Sequence, residues 1–301
     1  MIRRALLLWV AVVAALPALM MVSSTKLGLN LVDEILVDSR LPTLSGCFGR
    51  DENDRENSWR QNLCTFGTKN AGRKIVIVGD STVASITDGV VAAAASEEIS
   101  VISFPSRGCT FTSRFPHSYS WCKDYFQNAI DLIATVRPDG LIISNYLSRM
   151  DLSDRRIPFS NGQLPQSRQQ RLESTIFSLR EALLSAREVV SEVPILVVHE
   201  VPYIPFRRPS LLFNRASRPQ VSRDSRSYRR QLEYISEVKR VVSEFENIST
   251  LNPEKFICGT SSCSAKAADG QWLYMDSYHL NPRGSSLLTG EFKRWMARSI
   301  S

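Results

Sequence analysis

The sequence is poor in the side chains that hold metals and phosphates. Its 301 residues include only three histidines, His117, His199 and His279, and no two of its six cysteines have C-x-x-C spacing. A zinc site is therefore disfavoured. No Gly-rich loop follows the first apolar run, which counts against a flavodoxin-like nucleotide binder. No recognition motif accompanies the basic residues, so nucleic acid is not an expected partner. Internal repeats and low-complexity tracts are absent. The twin arginine near the N-terminus lacks the neighbours expected of a twin-arginine export signal.

What is present points outside the cytoplasm. Arg3 and Arg4 precede an apolar run of 18 residues, Ala5 to Val22. That is long for a signal-peptide core and just long enough to cross a bilayer. The arginines should stay on the cytoplasmic side. Residues 1–24 are read as a signal anchor in preference to a cleaved signal peptide, and the rest as exported. An even cysteine count in an exported chain suggests disulfides. Proximity suggests Cys47–Cys64, Cys109–Cys122 and Cys258–Cys263. The formal charge is +7, and Arg207–Arg230 holds eight arginines against one acid, Asp224. That stretch is either a solvated surface or a point of attraction for anionic glycans or lipid headgroups.

Residues 25–72 are mostly polar and irregular, as in a stalk or N-terminal extension. From there the pattern alternates. Ile75–Val78 is a β-branched apolar run suited to a strand buried on both faces. Ile99–Phe104, Leu141–Ile143, Ile195–Val198 and Ile248–Leu251 read as further strands. Helical spacing fits the segment after Ser81, then Tyr125–Val136, Arg171–Val190, Tyr228–Phe245 and Gly284–Ile300. Met150–Pro165 and the Pro- and Arg-rich Val201–Gln220 read as loops. The alternation argues for one α/β domain over residues 73–301, with a parallel sheet of about five strands and helices on both faces.

Gly79 and Asp80 break the first strand, and Ser81 opens the helix behind it. Open α/β sheets bind ligands at that edge, and a helix start favours developing negative charge. Taken alone, Asp80 and Ser81 could equally be a helix cap. Far along the chain stands Asp276-Ser277-Tyr278-His279-Leu280-Asn281. Its Asp–His spacing lets the carboxylate hold one imidazole nitrogen while the other faces a neighbour. A serine nucleophile needs such a base, and the base needs an orienting group.

The G-D-S after the first strand and the D-x-x-H-L-N before the last helix resemble the SGNH (GDSL-like) hydrolase superfamily. Gly108, after the second strand, fits the family's second block. In the third block, G-x-N-D, Asn145 is in register, but Ile143 stands in place of glycine and Tyr146 in place of aspartate. The closer resemblance is to the extracytoplasmic SGNH domains fused to acyltransferase-3 membrane proteins, which O-acetylate bacterial surface glycans. It rests on Gly108-Cys109 with Cys122, the pair Cys258/Cys263, Gly284 behind the D-x-x-H-L-N, and the weak third block. It implies a three-layer α/β/α, flavodoxin-like sandwich and no cofactor. Ser81 would be the nucleophile, His279 its base and Asp276 the orienting acid. The amides of Ser81 and Gly108 and the side chain of Asn145 would form the oxyanion hole. The implied partners are an acyl donor and a carbohydrate acceptor. This chain has at most one membrane helix, so a separate membrane acyltransferase would supply the acyl group.

Two readings follow. The first is a membrane-anchored serine O-acyltransferase or esterase in the bacterial periplasm or at the cell surface. The second is a non-catalytic module of the same fold that binds glycan or a membrane partner. His199 is expected as a wall or structural residue, and His117 on a surface loop. Tyr146, Tyr203 and Trp121 are candidates to line a sugar site or to serve in packing.

Overall fold

A computed structural model of the chain describes residues 63–67, 71–116, 118–152, 155–205 and 219–300. The expected anchor at residues 1–24, Cys47, His117 and the arginines from Arg207 to Arg218 lie outside these. Among the described residues no helix is long and apolar enough to cross a membrane.

The elements run β1 (Cys64–Phe66), β2 (Arg73–Gly79), α1 (Ser81–Ala95), β3 (Ile99–Pro105), α2 (Tyr125–Val136), β4 (Gly140–Ser144), α3 (Arg168–Val189) and β5 (Ile195–Val198). Then come β6 (Gln220–Ser222), α4 (Arg226–Val242), β7 (Ile248–Leu251), α5 (Glu254–Ile257), β8 (Ser262–Ser264), α6 (Pro282–Ser286) and α7 (Thr289–Ser299). Short 3-10 helices cover Ser120–Cys122 and Leu147–Asp151.

The main sheet has the order β1-β3-β2-β4-β5-β7. All its pairings are parallel except that of β1 with β3. The period-two alternation of a strand sends β2 side chains to two cores. Ile75 and Ile77 join Val83, Ile86 and Val90 of α1 and Phe292 and Met296 of α7. Val76 and Val78 join Ala129 and Ile133 of α2, Leu179 and Leu183 of α3, and Tyr234 and Val238 of α4. Both faces of β2 are covered, which is why its sequence is a continuous apolar run. The result is the three-layer sandwich, with β2 near its middle.

Three details differ from the sequence reading. The sheet has six strands, because Cys64–Phe66, inside the expected extension, pairs antiparallel with β3. Three residues carry too short a pattern to announce a strand. A second, two-stranded sheet joins β6 to β8 beside the core, tied by the register Val221↔Cys263. The last helix is two: the Leu288 N–H bonds to the Ser285 carbonyl, a tight i→i−3 turn that closes α6 before α7 begins. Cys109–Cys122 and Cys258–Cys263 are disulfide-bonded.

Candidate active site

β2 ends at Gly79, paired on one side with Pro105 of β3 and on the other with Ser144 of β4. Three strand ends thus converge on one sheet edge, and the segments carrying Ser81, Gly108 and Asn145 all leave from it. The exit is narrow. Gly79 has φ +141°, and a Cβ there would lie 1.8 Å from the Ser144 carbonyl oxygen. No residue but glycine fits. The Tyr125 hydroxyl braces the turn. It accepts from the Gly79 N–H at 2.7 Å and donates toward the carbonyls of Gly79 and Phe104 at 2.7 and 2.9 Å.

Asp80 caps α1. Its Oδ1 accepts from the Thr82 N–H at 2.8 Å and the Thr82 hydroxyl at 2.7 Å, and its Oδ2 accepts from the Tyr146 N–H at 2.8 Å. Burial raises its carboxyl above the usual range, and those backbone bonds pull it back only in part. Asp80 therefore shapes the turn and ties the end of β2 to the end of β4. Ser81 is the first residue of α1, so its own N–H has no acceptor within the helix.

His279 reaches Ser81 across 198 residues of sequence. Its Nε2 lies 2.7 Å from Ser81 Oγ, and its Nδ1 lies 2.7 Å from Asp276 Oδ2. Asp276 Oδ1 accepts from the N–H groups of Tyr278 and His279, each at 2.9 Å. Burial pushes the Asp276 carboxyl up. The His279 hydrogen bond and charge and the two backbone donors outweigh it, leaving the carboxyl below its ordinary value. A carboxylate at Nδ1 selects the tautomer protonated there, which leaves Nε2 to accept from the serine hydroxyl.

The elements behind this loop explain how it arrives. Asn281, fully buried, caps α6 by accepting from the Gly284 N–H at 2.8 Å, and it donates to the Trp272 carbonyl at 2.8 Å. Gly284 packs where a Cβ would sit 2.1 Å from the Leu273 carbonyl oxygen. α6 docks on α1 where the Gly89 N–H donates to Ser285 Oγ at 2.8 Å. The helix that starts at Ser81 is thus pinned to the segment that presents His279.

Gly108 lies in a turn at φ +75°, and the Cys109–Cys122 disulfide holds the base of its loop. A Cβ on Gly108 would press on the Tyr119 ring at 3.0 Å. That ring stacks on exposed Trp121. Asn145 is buried; its Oδ1 accepts from the Phe111 N–H at 2.8 Å and its Nδ2 donates to the Phe111 carbonyl at 3.4 Å. An amide NH2 carries two donors, so one remains for a ligand.

The other candidates are placed apart or differently. His199 ends β5 on the wall of a small internal cavity of about 20 Å³, with Asn145, Glu200 and Tyr234. Burial, aided by the charge of Lys239, pushes its imidazole down to about 4, so it is neutral. Tyr203 is half-buried, and its N–H donates to Gln231. Tyr146 stacks on Tyr278, which meets the His279 ring at 4.3 Å. Sequence reasoning missed Tyr278, although it adjoins His279. It also missed Tyr125, 46 residues from Gly79 in sequence, for which no local pattern exists. Among the described residues no cluster of His, Cys, Asp or Glu could hold a metal ion.

Residues 46–294 match the family model described as SGNH domain (fused to AT3 domains). No curated protein matches the chain. Among solved structures, the chain is similar to the periplasmic domain of a lipopolysaccharide acetyltransferase from Salmonella serovar Paratyphi A. The two share 14% identity and a TM-score of 0.61 over 89% of this chain and 97% of that one. An acetylxylan esterase from Geobacillus stearothermophilus has 15% identity and a TM-score of 0.47, covering 74% of this chain and 94% of its own. A carbohydrate acetylesterase from Sinorhizobium meliloti has 14% and 0.46, covering 75% and 99%. At these identities the likeness is one of fold.

Proposed function

The chain belongs to the family of SGNH domains fused to AT3 domains, and from that membership we propose that it is a serine-dependent O-acyltransferase or esterase acting on cell-surface carbohydrate. The observation that carries this reading is the unbroken relay from Asp276 through His279 to Ser81 Oγ, with both links at 2.7 Å, at the start of a helix on the ligand-binding edge of the sheet.

In this mechanism the Ser81 hydroxyl gives its proton to His279 Nε2 as Oγ attacks an ester carbonyl. Asp276 holds the imidazole and stabilises its cation. The Ser81 and Gly108 N–H groups and the remaining Asn145 Nδ2 donor stabilise the oxyanion. One such donor is typically worth ~3 kcal/mol in the barrier. Collapse expels the alcohol, which takes the proton from His279, and leaves Ser81 acylated. A sugar hydroxyl or water then attacks, losing its proton to His279; as the acyl–Oγ bond breaks, His279 returns that proton to Ser81 Oγ and the acyl group leaves on the acceptor. A sugar acceptor makes the protein a transferase, and water makes it an esterase.

The family name supports a membrane acyltransferase as the source of acyl groups. The periplasmic setting of the Salmonella domain supports an extracytoplasmic location, with residues 1–24 as the anchor, 25–72 as an extension and 73–301 as the catalytic unit. The test is Ser81→Ala. It should lower cleavage of 4-nitrophenyl acetate by at least ~10⁴-fold and abolish labelling by a fluorophosphonate. Undiminished cleavage would sink the assignment and favour the non-catalytic module.

A further inference from the structure

Four residues beyond Asn145, the 3-10 helix Leu147–Asp151 presents Arg149 to the same edge. Its guanidinium lies 4.8 Å from the centre of the Tyr278 ring. That ring stacks on Tyr146 at 5.5 Å and meets the His279 imidazole at 4.3 Å. A cation therefore stands one aromatic ring away from the base of the proposed relay.

Arg149 is half-buried, yet among the described residues its guanidinium has no ion pair and no hydrogen bond. Other half-buried arginines of the molecule are engaged. Arg114 pairs with Glu181, Arg168 with Asp151, and Arg223 with Glu254. Arg187 holds the carbonyls of Ser191, Val193 and Glu246, and Arg73 those of Ile300 and Glu97. The acid nearest in sequence, Asp151, is taken by Arg168 and Arg171. A guanidinium stays charged and carries five N–H donors in a fork that fits carboxylate or phosphate oxygens. The Arg149 nitrogens are not shut off from water, so one face of the fork stacks on the tyrosine while the donors stay open to a ligand's oxygens. The formal charge of +7 adds a long-range attraction for anionic polymers.

We propose that Arg149 is the specificity residue of the site and binds a carboxylate or phosphate group carried by the acceptor carbohydrate. The proposal rests on the acyl-serine reading for its place in the reaction, but its binding step is separable from it. The acidic substituent would dock on the fork beside Tyr278 and bring a neighbouring sugar hydroxyl, or its ester, over Ser81. In the deacylation direction, wild type should prefer an O-acetylated glucuronide or an O-acetylated sugar phosphate to the neutral O-acetylated glucoside. The expected preference is about tenfold or more in kcat/KM, the worth of a charge-assisted hydrogen bond.

Arg149→Gln should bring that ratio to about one, and Arg149→Lys should keep part of it, because the charge stays while the fork is lost. The two acidic substrates distinguish carboxylate from phosphate as the natural group. An equal ratio in wild type and Arg149→Gln, or a proportional loss on acidic and neutral substrates, overturns the proposal. The proportional loss is what a mere brace for Tyr278 would give. Calorimetric titration with an oligogalacturonate and with glucose 6-phosphate separates this from the Ser81 reading. Tighter binding of either by wild type than by Arg149→Gln upholds the proposal even if Ser81 proves unreactive, and equal binding of both overturns it.

Discussion

The turn at Gly79–Ser81 and the strand end at Ser144–Arg149 are neighbours on one sheet edge, joined by the bond from the Tyr146 N–H to Asp80, yet they are built on opposite terms. In the first, a glycine is forced by the Ser144 carbonyl, both Asp80 oxygens are engaged, and the Tyr125 hydroxyl closes the backbone. In the second, polar groups outnumber their partners. Arg149 holds only a ring. Behind Asn145 lies the small cavity, where His199 Nε2 and the Tyr234 hydroxyl find no hydrogen-bond partner among the described residues. Burial raises Glu200, on the same wall, to about 8. The proposed nucleophile, Ser81, has to be held to a few tenths of an ångström to react, and the closed hydrogen bonding of the first region would serve that. Recognition tolerates more variety, and in the second region Ile143 and Tyr146 depart from the G-x-N-D block of the wider SGNH superfamily.

Gly79→Ala breaks the comparison most severely. The new methyl group would collide with Ser144 of the second region, and the backbone would have to leave φ +141°. Unfolding by urea should show a loss of ~4 kcal/mol or more. A loss below ~1 kcal/mol would mean that the two strand ends can part, and that the turn is less rigid than its contacts imply.

The same contrast governs what could be read from the residues alone. β2 was legible because burial on both faces leaves a continuous apolar run. The relay residues Ser81, Asp276 and His279 stood out because each sits at an element boundary in a short, ordered motif. Their approach was not legible, because it depends on Gly89 and Ser285 meeting across two helices. Tyr125 was invisible because it acts through one hydroxyl on a distant backbone. Tyr146 read as a departure from the superfamily's aspartate and as a candidate sugar-site or packing residue; its stacking on Tyr278, and the cation of Arg149 on that ring, are products of packing. β1 and the β6–β8 ribbon are too short for any periodicity to mark them.

Asn145 belongs to both regions, and its substitution sharpens the boundary between them. As an oxyanion donor, Asn145→Ala should lower kcat on 4-nitrophenyl acetate by about 10²-fold or more with KM little changed. It also strands the Phe111 N–H, which should cost ~1–3 kcal/mol in urea unfolding. If Asn145 serves only to anchor the Phe111 loop, stability falls and kcat follows it by no more than a few-fold.

The smallest expected effect lies deepest in the second region. Glu200 is buried at the end of β5 and accepts from the Ser148 hydroxyl at 2.7 Å. Burial lifts its pKa from 4.5 to about 8, the Ser148 bonds pull it down, and the charge of Asp80 pushes it further up. Between those two values the folded protein holds a proton that the unfolded chain has released. The folded state thus binds more protons, and stability must fall as pH rises from about 5 to about 8. The raised Asp80 contributes in the same direction. Glu200→Gln keeps an oxygen for Ser148 and removes the titration. Melting curves at pH 5 and pH 8 should show a fall in Tm for wild type and a clearly smaller one for the variant. Equal slopes would mean that Glu200 is already charged at pH 5, and the second region would then be as fully compensated as the first.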